Sequence, residues 1–382
     1  AEILRPPEVG AHVGQARRLR AEREARQAEA EAHQCPPPPG AATIDRRQTF
    51  GALMSVTSAT ELDLFVPEPA GAVPIRLADV AAVAAIGNTP LLRLRRLPAR
   101  HGLPETVEIW LKAEWTNPGG SIKDRPALGI VRAALASGEL RAGKTLLDAT
   151  SGNTGIAYAM LGAAIGFPVE LVVPGSASDE RKRMLTAFGA RVVFSDPYDG
   201  SNGAIRLARE RAANAPERYF YADQYSNPAN PAAHVATTGP EIWRQTNGRV
   251  THLVSGLGTT GTLMGTGRYL KTRNPAVTLV AVQPAESFHG IEGLKHLPTA
   301  IVPGIYDPAV PDVQRGIETD EAFDLARELA CSEGLFAGTS TGAALAAALR
   351  LGRDLAARGE CAVIVAIAPD GGSKYLSTGL WV

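Results

Sequence analysis

The stretch THLVSGLGTTGTLMGTGR, residues 251–268, combines the three parts of an α/β folding unit. The apolar run at 251–256 is typical of a buried strand, a glycine-rich turn follows it, and a helix-forming segment begins at residue 262. Gly256, Gly258 and Gly261 have the spacing G-x-G-x-x-G. In parallel sheets, ligands bind where such turns leave the carboxyl ends of the strands. The stretch therefore predicts both an α/β fold and a ligand site at the edge of its sheet.

Short strands alternate with helices along most of the sequence after residue 86. Strands are predicted at 107–114, 144–150, 169–174, 191–195, 251–256, 278–284 and 362–369. Helices are predicted at 126–137, 155–166, 178–188, 201–213, 262–273, 320–333 and 341–358. Strands that alternate with helices of this length require crossover connections, which build mainly parallel sheets covered on both faces. The predicted fold class is α/β, doubly wound.

Composition limits the function classes. A chain of 382 residues exceeds the usual size of one hydrophobic core, so we expect two domains. Lys and Arg number 39, as do Asp and Glu, and a net charge of zero disfavours binding to nucleic acid or to an acidic membrane. The three cysteines, Cys35, Cys331 and Cys361, show no C-x-x-C spacing, so we expect a reducing compartment and no metal site. Without an apolar run of ~20 residues or a signal-peptide pattern, the protein is expected to be cytoplasmic.

The N-terminal region differs from the rest of the chain. Residues 14–33 are rich in Ala, Arg and Glu, and CPPPPG at 35–40 interrupts any helix. With almost no apolar surface to bury, residues 1–42 are predicted to be a disordered extension. Residues 43–79 form an N-terminal segment to which the sequence assigns no role.

The glycine turn at 256–261 is expected to bind a phosphate and not a dinucleotide. A dinucleotide fold needs an acidic residue at the end of the next strand to bind the ribose, and this strand ends in Gln283 and Pro284. A helix start with free N–H groups and several hydroxyls remains a phosphate site. Those hydroxyls are supplied by Thr259, Thr260 and Thr262.

A second turn, NPGGSIKDRPA at 117–127, places Lys123 at the start of a helix that follows a strand. A single lysine beside Asp124 and Arg125 is ordinarily a solvated charge. A helix start, however, disfavours a cation and lowers the pKa of a lysine, which suits an amine that forms a Schiff base. Lys123 is therefore a candidate catalytic residue.

A third turn, ATSGNTGIA at 149–157, is also a strand end running into a helix. Its polar side chains and free backbone N–H groups are suited to a carboxylate; the polar residues are Thr150, Ser151, Asn153 and Thr154. An ordinary capped turn would explain one such residue but not four. A lysine amine, a phosphate site and a carboxylate site at one sheet edge together predict pyridoxal phosphate acting on an amino acid.

Seven motifs in the same order resemble the cysteine synthase family of pyridoxal-phosphate enzymes, fold type II. They are GNTP (87–90), NPGGSIKDR (117–125), TSGNTG (150–155), QYSNPANPAAH…TTGPEIW (224–243), GTTGT (258–262), GTSTGAA (338–344) and PDGGSKYLSTG (369–379). The resemblance covers residues 80–382 and is greatest to cysteine synthase B and its relatives, through GGSIKDRPA, GTTGTLMGTGR and GIEGLKHLPTAIVPGIYDP.

The resemblance implies a fold with the active site in the cleft between two domains. It assigns residues 80–125 and 228–382 to a large cofactor-binding domain and residues 126–227 to a small, mobile substrate-binding domain. Many cystathionine β-synthases carry an additional regulatory domain, and because the sequence stops soon after residue 379, none is expected here.

The resemblance also assigns roles to single residues. Lys123 would form the Schiff base with the cofactor and move the Cα proton of the substrate, Asn153 would bind the ring hydroxyl, and Ser340 would face the pyridine nitrogen. The cofactor phosphate would be held by Gly258, Thr259, Thr260, Gly261 and Thr262. The substrate carboxylate would be bound by Thr150, Ser151, Gly152, Thr154 and Gln224.

The expected reaction is β-replacement through an α-aminoacrylate, because a neutral hydroxyl at Ser340 does not keep the pyridine nitrogen protonated. The resemblance implies L-cysteine made from O-acetylserine or O-phosphoserine, with sulfide or a thiocarboxylated sulfur-carrier protein as donor. Arg268, about two turns beyond the phosphate loop, is a candidate for binding the phosphate of O-phosphoserine. The alternative for Arg268 is a surface position on its helix.

Other functions stay open from the sequence. Cystathionine β-synthase, which joins serine and homocysteine, is the second enzymatic hypothesis; a serine or threonine dehydratase is disfavoured by the intact 224–243 motif. A non-catalytic binding protein of this fold is the third hypothesis, although it would have no need of Lys123. The resemblance further implies a homodimer and a possible complex with serine acetyltransferase, and it implies neither a metal nor a nucleic-acid partner.

Overall fold

The computed structural model describes residues 76–150 and 152–381. The predicted extension at 1–42, Ser151 and nearly all of the 43–79 segment lie outside the described residues. The strands are β1 Leu91–Leu94, β2 Val107–Ala113, β3 Thr145–Ala149, β4 Val169–Pro174, β5 Arg191–Ser195, β6 Tyr219–Tyr221, β7 His252–Gly256, β8 Thr278–Pro284, β9 Val313–Ile317 and β10 Ala362–Ala368. The α-helices are α1 Ala81–Ala84, α2 Arg96–Arg100, α3 Asp124–Ser137, α4 Asn153–Ile165, α5 Asp179–Ala187, α6 Gly200–Asn214, α7 Ala229–Ala236, α8 Thr238–Gln245, α9 Gly261–Arg273, α10 Thr319–Glu333 and α11 Thr339–Ala357.

The strands form two sheets. The larger sheet has the order β1-β2-β10-β7-β8-β9, in which only the β1–β2 pair is antiparallel. The smaller sheet has the order β5-β4-β3-β6 and is parallel throughout. The predicted α/β class with mainly parallel sheets is confirmed. All strands of the smaller sheet come from residues 145–221, and the exact domain boundaries stay a prediction.

Burial explains why these segments form central strands. Every residue of β10 and of β4 is buried, as expected where helices cover both faces of a parallel sheet. The alanine-rich helix α11 packs on β10, and Gly342 lets it approach α10 so closely that a Cβ would overlap the carbonyl of Ala322. The small side chains of α11 therefore determine how close the two helices lie.

The seven predicted strands and seven predicted helices are present with ends shifted by at most two residues. Elements without a prediction are β1, β6, β9 and the helices α1, α2, α7 and α8. The strand β6 has only three residues, and β9 exposes its polar residues at the sheet edge, so neither carries an apolar run. Pro231, Gly239 and Pro240 interrupt the helical pattern of α7 and α8.

Within residues 76–150 and 152–381, no helix has the length and apolar character needed to cross a membrane.

Candidate active site

Most of the predicted site residues lie in, or directly after, turns that leave the carboxyl ends of strands. In the larger sheet β2, β10 and β7 are adjacent, and the turns after them carry Lys123, Asp370 and Thr259. The Lys123 turn is joined to the turn after β10, since the backbone N–H of Ile122 donates to the carbonyl of Pro369 at 2.8 Å. The turn after β3 of the smaller sheet reaches the same place through Asn153, described below. The two sheets thus meet at one site.

Lys123 is the residue immediately before α3 and is half-buried. Its backbone N–H donates to Ser121 Oγ at 3.2 Å, which fixes the turn. Burial lowers the pKa of Lys123, and the charges of Asp370 and Glu114 oppose this shift only in part. A lysine with a lowered pKa is more often neutral and therefore more nucleophilic than an exposed lysine.

The two charged residues after Lys123 are buried, contrary to the ordinary expectation for a solvated Asp-Arg pair. Arg125 Nε donates to Glu114 Oε2 at 2.7 Å, and its Nη1 donates to Glu241 Oε1 at 2.8 Å. The carboxylate of Asp124 accepts the backbone N–H of Gly119 at 2.6 Å. Burial raises the pKa of Asp124 to about 7. These contacts hold the start of α3, and with it Lys123, in place.

The loop at 258–262 has the shape of a phosphate site. A Cβ at Gly258 would overlap the carbonyl of Gly293, and a Cβ at Gly261 would overlap Asn230 Oδ1, so only glycine lets the backbone follow this path. Thr260 has a φ of 71°, and its buried hydroxyl has no hydrogen-bond partner among the described residues. The Thr262 hydroxyl lies 3.3 Å from His234 Nε2. A buried hydroxyl without a partner at the start of a 13-residue helix fits a phosphate ligand.

The turn after β3 brings the predicted carboxylate ligands together. Thr150 Oγ1 accepts the backbone N–H groups of Gly152 and Gly155 at 3.0 and 3.1 Å. Thr154 Oγ1 donates to Gln224 Oε1 at 2.6 Å, and Gln224 Nε2 donates to the carbonyl of Ala149 at 2.6 Å. A Cβ at Gly152 would overlap Arg181 Cδ, so this position also requires glycine. Ser151, the remaining candidate of this loop, lies outside the described residues.

Asn230 connects the carboxylate loop to the phosphate loop. Its Nδ2 donates to the carbonyl of Gln224 at 2.7 Å and to Thr259 Oγ1 at 3.2 Å. Asn230 was not predicted as a site residue, although it lies in the quoted 224–243 motif. The two candidate ligand loops are therefore held at a fixed separation by one buried amide.

The side chain of Asn153 forms hydrogen bonds that link the smaller sheet to the larger one. Its Nδ2 donates to Asp370 Oδ2 at 2.7 Å, and its Oδ1 accepts from Lys374 Nζ at 2.9 Å. The same Lys374 Nζ donates to the carbonyls of Gly119 and Gly120, each at 3.0 Å. Sequence reasoning missed Asp370 and Lys374, whose only signal was their place in the last motif. One amide N–H of Asn153 remains for a ligand, so its role toward a ring hydroxyl stays a prediction.

Ser340 is buried in the first turn of α11, the helix that packs on β10. The neighbouring hydroxyls of Thr339 and Thr341 are buried and have no partner among the described residues. The backbone N–H of Gly338, just before the helix, donates to the carbonyl of Asp370 at 3.1 Å. Ser340 therefore lies next to the turn that binds Asn153.

Arg268 lies on the exposed side of α9. Its Nη2 is 3.5 Å from Asp307 Oδ2, and the side chains of both residues are about half exposed. Its predicted contact with a substrate phosphate stays a prediction. No cluster of three or more His, Cys, Asp or Glu side chains suited to a metal ion occurs in the described part of the chain.

Comparison with known proteins agrees with this geometry. The model of the family described as pyridoxal-phosphate dependent enzyme matches residues 83–370. A cysteine synthase of Aquifex aeolicus is 53% identical over 309 residues, covering 81% of this chain and 94% of that protein. Cysteine synthase B of Pseudomonas aeruginosa is 46% identical over 296 residues, 78% of this chain and 95% of that protein. The crystal structure of O-acetylserine sulfhydrylase isoform 3 from Entamoeba histolytica superposes with a TM-score of 0.74 at 38% identity, covering 84% of this chain and 95% of that one.

Fold and site define a fold type II enzyme built around a lysine and a phosphate loop. The chain belongs to the pyridoxal-phosphate-dependent enzyme family, and its cofactor is pyridoxal phosphate. The residues present fit this cofactor, since the loop at 258–262 leaves a buried hydroxyl for a phosphate and Lys123 has a lowered pKa.

Proposed function

We propose that the protein is a cysteine synthase that forms L-cysteine by β-replacement. The acceptor is O-acetylserine or O-phosphoserine, and the donor is sulfide or a sulfur-carrier thiocarboxylate. The observation that carries the proposal is that one buried amide, Asn230, joins the phosphate loop to the carboxylate loop beside Lys123. The charge of Lys123 acts on His234, which contacts Thr262 of the phosphate loop. A phosphate site, a carboxylate site and an amine together are what an amino-acid-converting enzyme of this family requires.

Each part of the site has a distinct task in this reaction. Bound pyridoxal phosphate supplies an electron sink for charge that develops at the substrate Cα. Thr150, Thr154 and Gln224 orient the substrate carboxylate, and Lys123 Nζ takes the Cα proton, which its lowered pKa favours. The neutral hydroxyl of Ser340 would face the pyridine nitrogen of the cofactor and would not keep it protonated, which would favour loss of the β-substituent over transamination.

The names of the relatives support this activity. The proteins of A. aeolicus and P. aeruginosa are called cysteine synthase and cysteine synthase B, and the E. histolytica structure is called an O-acetylserine sulfhydrylase. These chains match along almost their whole length, so the matched region spans the segments that carry Lys123, Asn153 and the phosphate loop.

The proposal includes partners of defined chemistry. The enzyme takes small amino-acid substrates, works as a homodimer in the cytoplasm, and binds a sulfur-carrier protein or serine acetyltransferase at its cleft. The small domain at 126–227 moves against the large domain at 80–125 and 228–382 when substrate binds. The oligomeric state is tested by sedimentation of the purified protein, and the partner by titration; both tests are separate from the chemistry.

The first experiment follows the visible absorbance of the enzyme loaded with pyridoxal phosphate during addition of O-acetylserine or O-phosphoserine without sulfide. A rapid shift to longer wavelength is expected with at least one substrate, followed by L-cysteine formation when sulfide is added. Lys123→Ala should abolish both. The matched control is Lys144→Ala, a lysine that binds the carbonyl of Pro216 at the surface and should behave as wild type.

Two outcomes would replace the proposal. If the loaded enzyme responds to neither substrate but forms cystathionine from serine and homocysteine, it is a cystathionine β-synthase. If the protein binds the cofactor but converts none of these substrates, it is a binding protein of this fold.

A further inference from the structure

The side chain of Asn153 lies between two buried groups of opposite charge. Its Nδ2 donates to Asp370 Oδ2 at 2.7 Å, and its Oδ1 accepts from Lys374 Nζ at 2.9 Å. Asp370 is 1% exposed and Lys374 is 5% exposed. Both belong to the segment directly after β10, whereas Asn153 is the first residue of α4. An acid and a base thus contact the two ends of one amide, and each contact is charge-assisted.

These two contacts allow only one orientation of the amide. The amide has an oxygen that accepts and an NH₂ group that donates, and a half-turn of the side chain exchanges their places. After such a half-turn, Nδ2 would face the ammonium of Lys374, which can only donate. Oδ1 would face the ionised carboxylate of Asp370, which can only accept. Both hydrogen bonds would be replaced by repulsive contacts, so the two charged residues fix the direction in which the amide points.

The two charged residues are themselves held by other contacts. Lys374 Nζ also donates to the carbonyls of Gly119 and Gly120, so all three of its N–H groups are used. Asp370 Oδ2 also accepts from the hydroxyl of Tyr375 at 2.7 Å. Lys374 therefore has no N–H left for a ligand, and it can influence one only through Asn153. The second N–H of Asn153 Nδ2, in contrast, has no acceptor among the described residues.

The direction of this amide matters for the ring oxygen of pyridoxal phosphate. An oxygen that meets an N–H donor is stabilised as an anion, whereas an oxygen that meets a carbonyl has to keep its proton. In the bound cofactor, one proton lies either on the ring oxygen or on the nitrogen contributed by Lys123. When the ring oxygen is ionised, the proton stays on that nitrogen, and the carbon attached to it reacts more readily with an incoming amine.

We propose that Asp370 and Lys374 are positioning residues that orient the amide of Asn153, so that its free N–H donates to the ring oxygen of the cofactor and keeps that oxygen ionised. The inference rests on the role of Asn153 in the proposed function, and it adds the residues that set the protonation of the cofactor. An acceptor at Nδ2 and a cationic donor at Oδ1 also polarise the amide, which makes the remaining N–H a stronger donor. The two charged residues act through Asn153 and not by contact with the cofactor.

The test records the absorption spectrum of the enzyme loaded with pyridoxal phosphate, without substrate, and normalises it to the amount of bound cofactor. The bound cofactor absorbs in the visible when its ring oxygen is ionised and in the near ultraviolet when that oxygen is protonated. The wild type should show the visible band. Asp370→Ala removes the acceptor and lets the amide turn. The ratio of the visible to the near-ultraviolet form should then fall about tenfold or more, because a hydrogen bond to a charged oxygen contributes that much.

Three further variants and a surface control separate orientation of the amide from packing. Asp370→Asn keeps an oxygen that accepts from Asn153 and should recover most of the visible band. Lys374→Met should lower the ratio in the same direction as Asp370→Ala. Tyr375→Phe, which removes the other donor to Asp370, should leave the ratio unchanged. The control is Lys144→Met, because Lys144 also donates to two backbone carbonyls but lies at the surface.

Two results would overturn the inference. An unchanged ratio in Asp370→Ala would mean that the amide keeps its direction without the carboxylate. An equal change in Tyr375→Phe would mean that altered packing after β10 moves the spectrum. If Asp370→Ala does not fold or does not bind the cofactor, Lys374→Met decides, and an unchanged ratio in that variant rejects the inference. The spectrum requires no turnover, so an enzyme that converts neither O-acetylserine nor O-phosphoserine would contradict the proposed function and leave this test intact.

Discussion

At the scale of single residues, a buried charge network supports the candidate lysine. Arg125 is paired with Glu114 and Glu241, and Glu241 also accepts a hydrogen bond from Lys112 at 2.7 Å. Glu241 belongs to α8, Glu114 follows β2, and Arg125 is in the first turn of α3. The network therefore fixes the turn that carries Lys123 against two other elements.

Replacement of Glu241 by Gln should destabilise the protein strongly. Burial alone would raise the pKa of Glu241, but hydrogen bonds and charges from Arg125 and Lys112 lower it to about 2. Removal of the carboxylate leaves two buried cations with one acid fewer, so we expect the free energy of unfolding to fall by about 3 kcal/mol near neutral pH. Urea denaturation followed by circular dichroism measures this difference.

The pH dependence of the same pair of proteins gives a second check. A carboxylate with a depressed pKa contributes stability above its unfolded pKa of about 4.3, and the contribution is lost as pH falls through about 2. The difference in the free energy of unfolding between wild type and Glu241→Gln should therefore become smaller as the pH falls from about 4 to about 2. Glu105→Gln, which affects an exposed pair with Arg93, is the control and should match wild type. If the difference in the free energy of unfolding does not change with pH, the variant is destabilised by altered packing and not by the missing charge.

The sequence predicted which residues of the site lie in the turns at the sheet edge, because glycines, hydroxyls and amides cluster there visibly. It did not predict the burial of Asp124, Arg125 and Lys295. Burial of a charge depends on partners distant in the chain, such as Glu241 for Arg125, and no local pattern reveals them. Ser340 and Gln224 could be named only through resemblance, since each is one of several neighbouring polar residues and no local pattern distinguishes it from the others.

At the scale of elements, the unit of β7, the glycine turn and α9 depends on close backbone approach. Helix α9 contacts α7 closely at Gly261 and Gly265, where added Cβ atoms would overlap Asn230 Oδ1 and the carbonyl of Pro231. Asn230 is the same residue that joins the two ligand loops. Packing of two helices and geometry of the site are thus coupled through one amide.

Gly261→Ala should weaken cofactor binding more than it weakens the fold. The new methyl group displaces Asn230 and with it Thr259 and Gln224, so we expect the dissociation constant for pyridoxal phosphate to rise about tenfold or more. Fluorescence titration of the apoprotein measures the constant. Gly379→Ala is the matched control, because a Cβ there meets no atom within 4 Å. Unchanged cofactor affinity in Gly261→Ala would show that α7 and α9 can separate without disturbing the loop.

The end of β3 holds a buried acid that couples the smaller sheet to Gln224. Asp148 accepts the backbone N–H of Ala149 at 2.8 Å and that of Gln224 at 3.3 Å. Burial raises the pKa of Asp148 to about 8, although these two hydrogen bonds lower it. Folding therefore favours the protonated acid, and the stability that it contributes at low pH is lost as pH rises from the unfolded pKa of about 3.9 through about 8.

Asp148→Asn should remove this pH dependence. Near pH 6 the variant should be less stable by about 1–3 kcal/mol, because the amide has only one oxygen for two N–H groups. Towards pH 9 the wild type loses stability and the variant does not, so the difference should shrink or reverse. Other buried groups titrate in both proteins, and the difference between the two denaturation midpoints isolates Asp148. A difference independent of pH would mean that Asp148 is ionised in the folded protein.

Elements with a clear apolar period were predictable to within two residues, whereas α7 and α8 were not. These two helices pack on α3 and α9 through the side chains of Asn230, His234 and Glu241. Because these residues are polar, they do not contribute to the apolar repeat from which helices are predicted. The short edge strands β1 and β9 were missed for a related reason, since their pairing depends on β2 and β8 and not on their own composition.

At the scale of the whole molecule, the two sheets are joined by contacts that converge on the site. Lys374 and Asp370 of the larger sheet's last turn bind Asn153 of α4. Arg181 of α5 pairs with Glu292, in the segment after β8 that also contains Lys295. Glu180 of α5 accepts hydrogen bonds from Ser377 near the C-terminus. The cofactor would lie where these contacts meet, so it should act as a further link between the sheets.

Removal of pyridoxal phosphate should therefore loosen both sheets and not only the phosphate loop. A ligand that binds the folded state stabilises it by roughly 3 kcal/mol at about one hundred times its dissociation constant, so the apoprotein should melt several degrees lower than the loaded enzyme. Hydrogen exchange should become faster in the loop at 258–262 and also at the start of α4, because Asn153, the residue predicted to bind the ring hydroxyl, loses its ligand. Faster exchange in only one of the two segments would show that the cofactor is held by that sheet alone and that the contacts of Asn153 form independently of it.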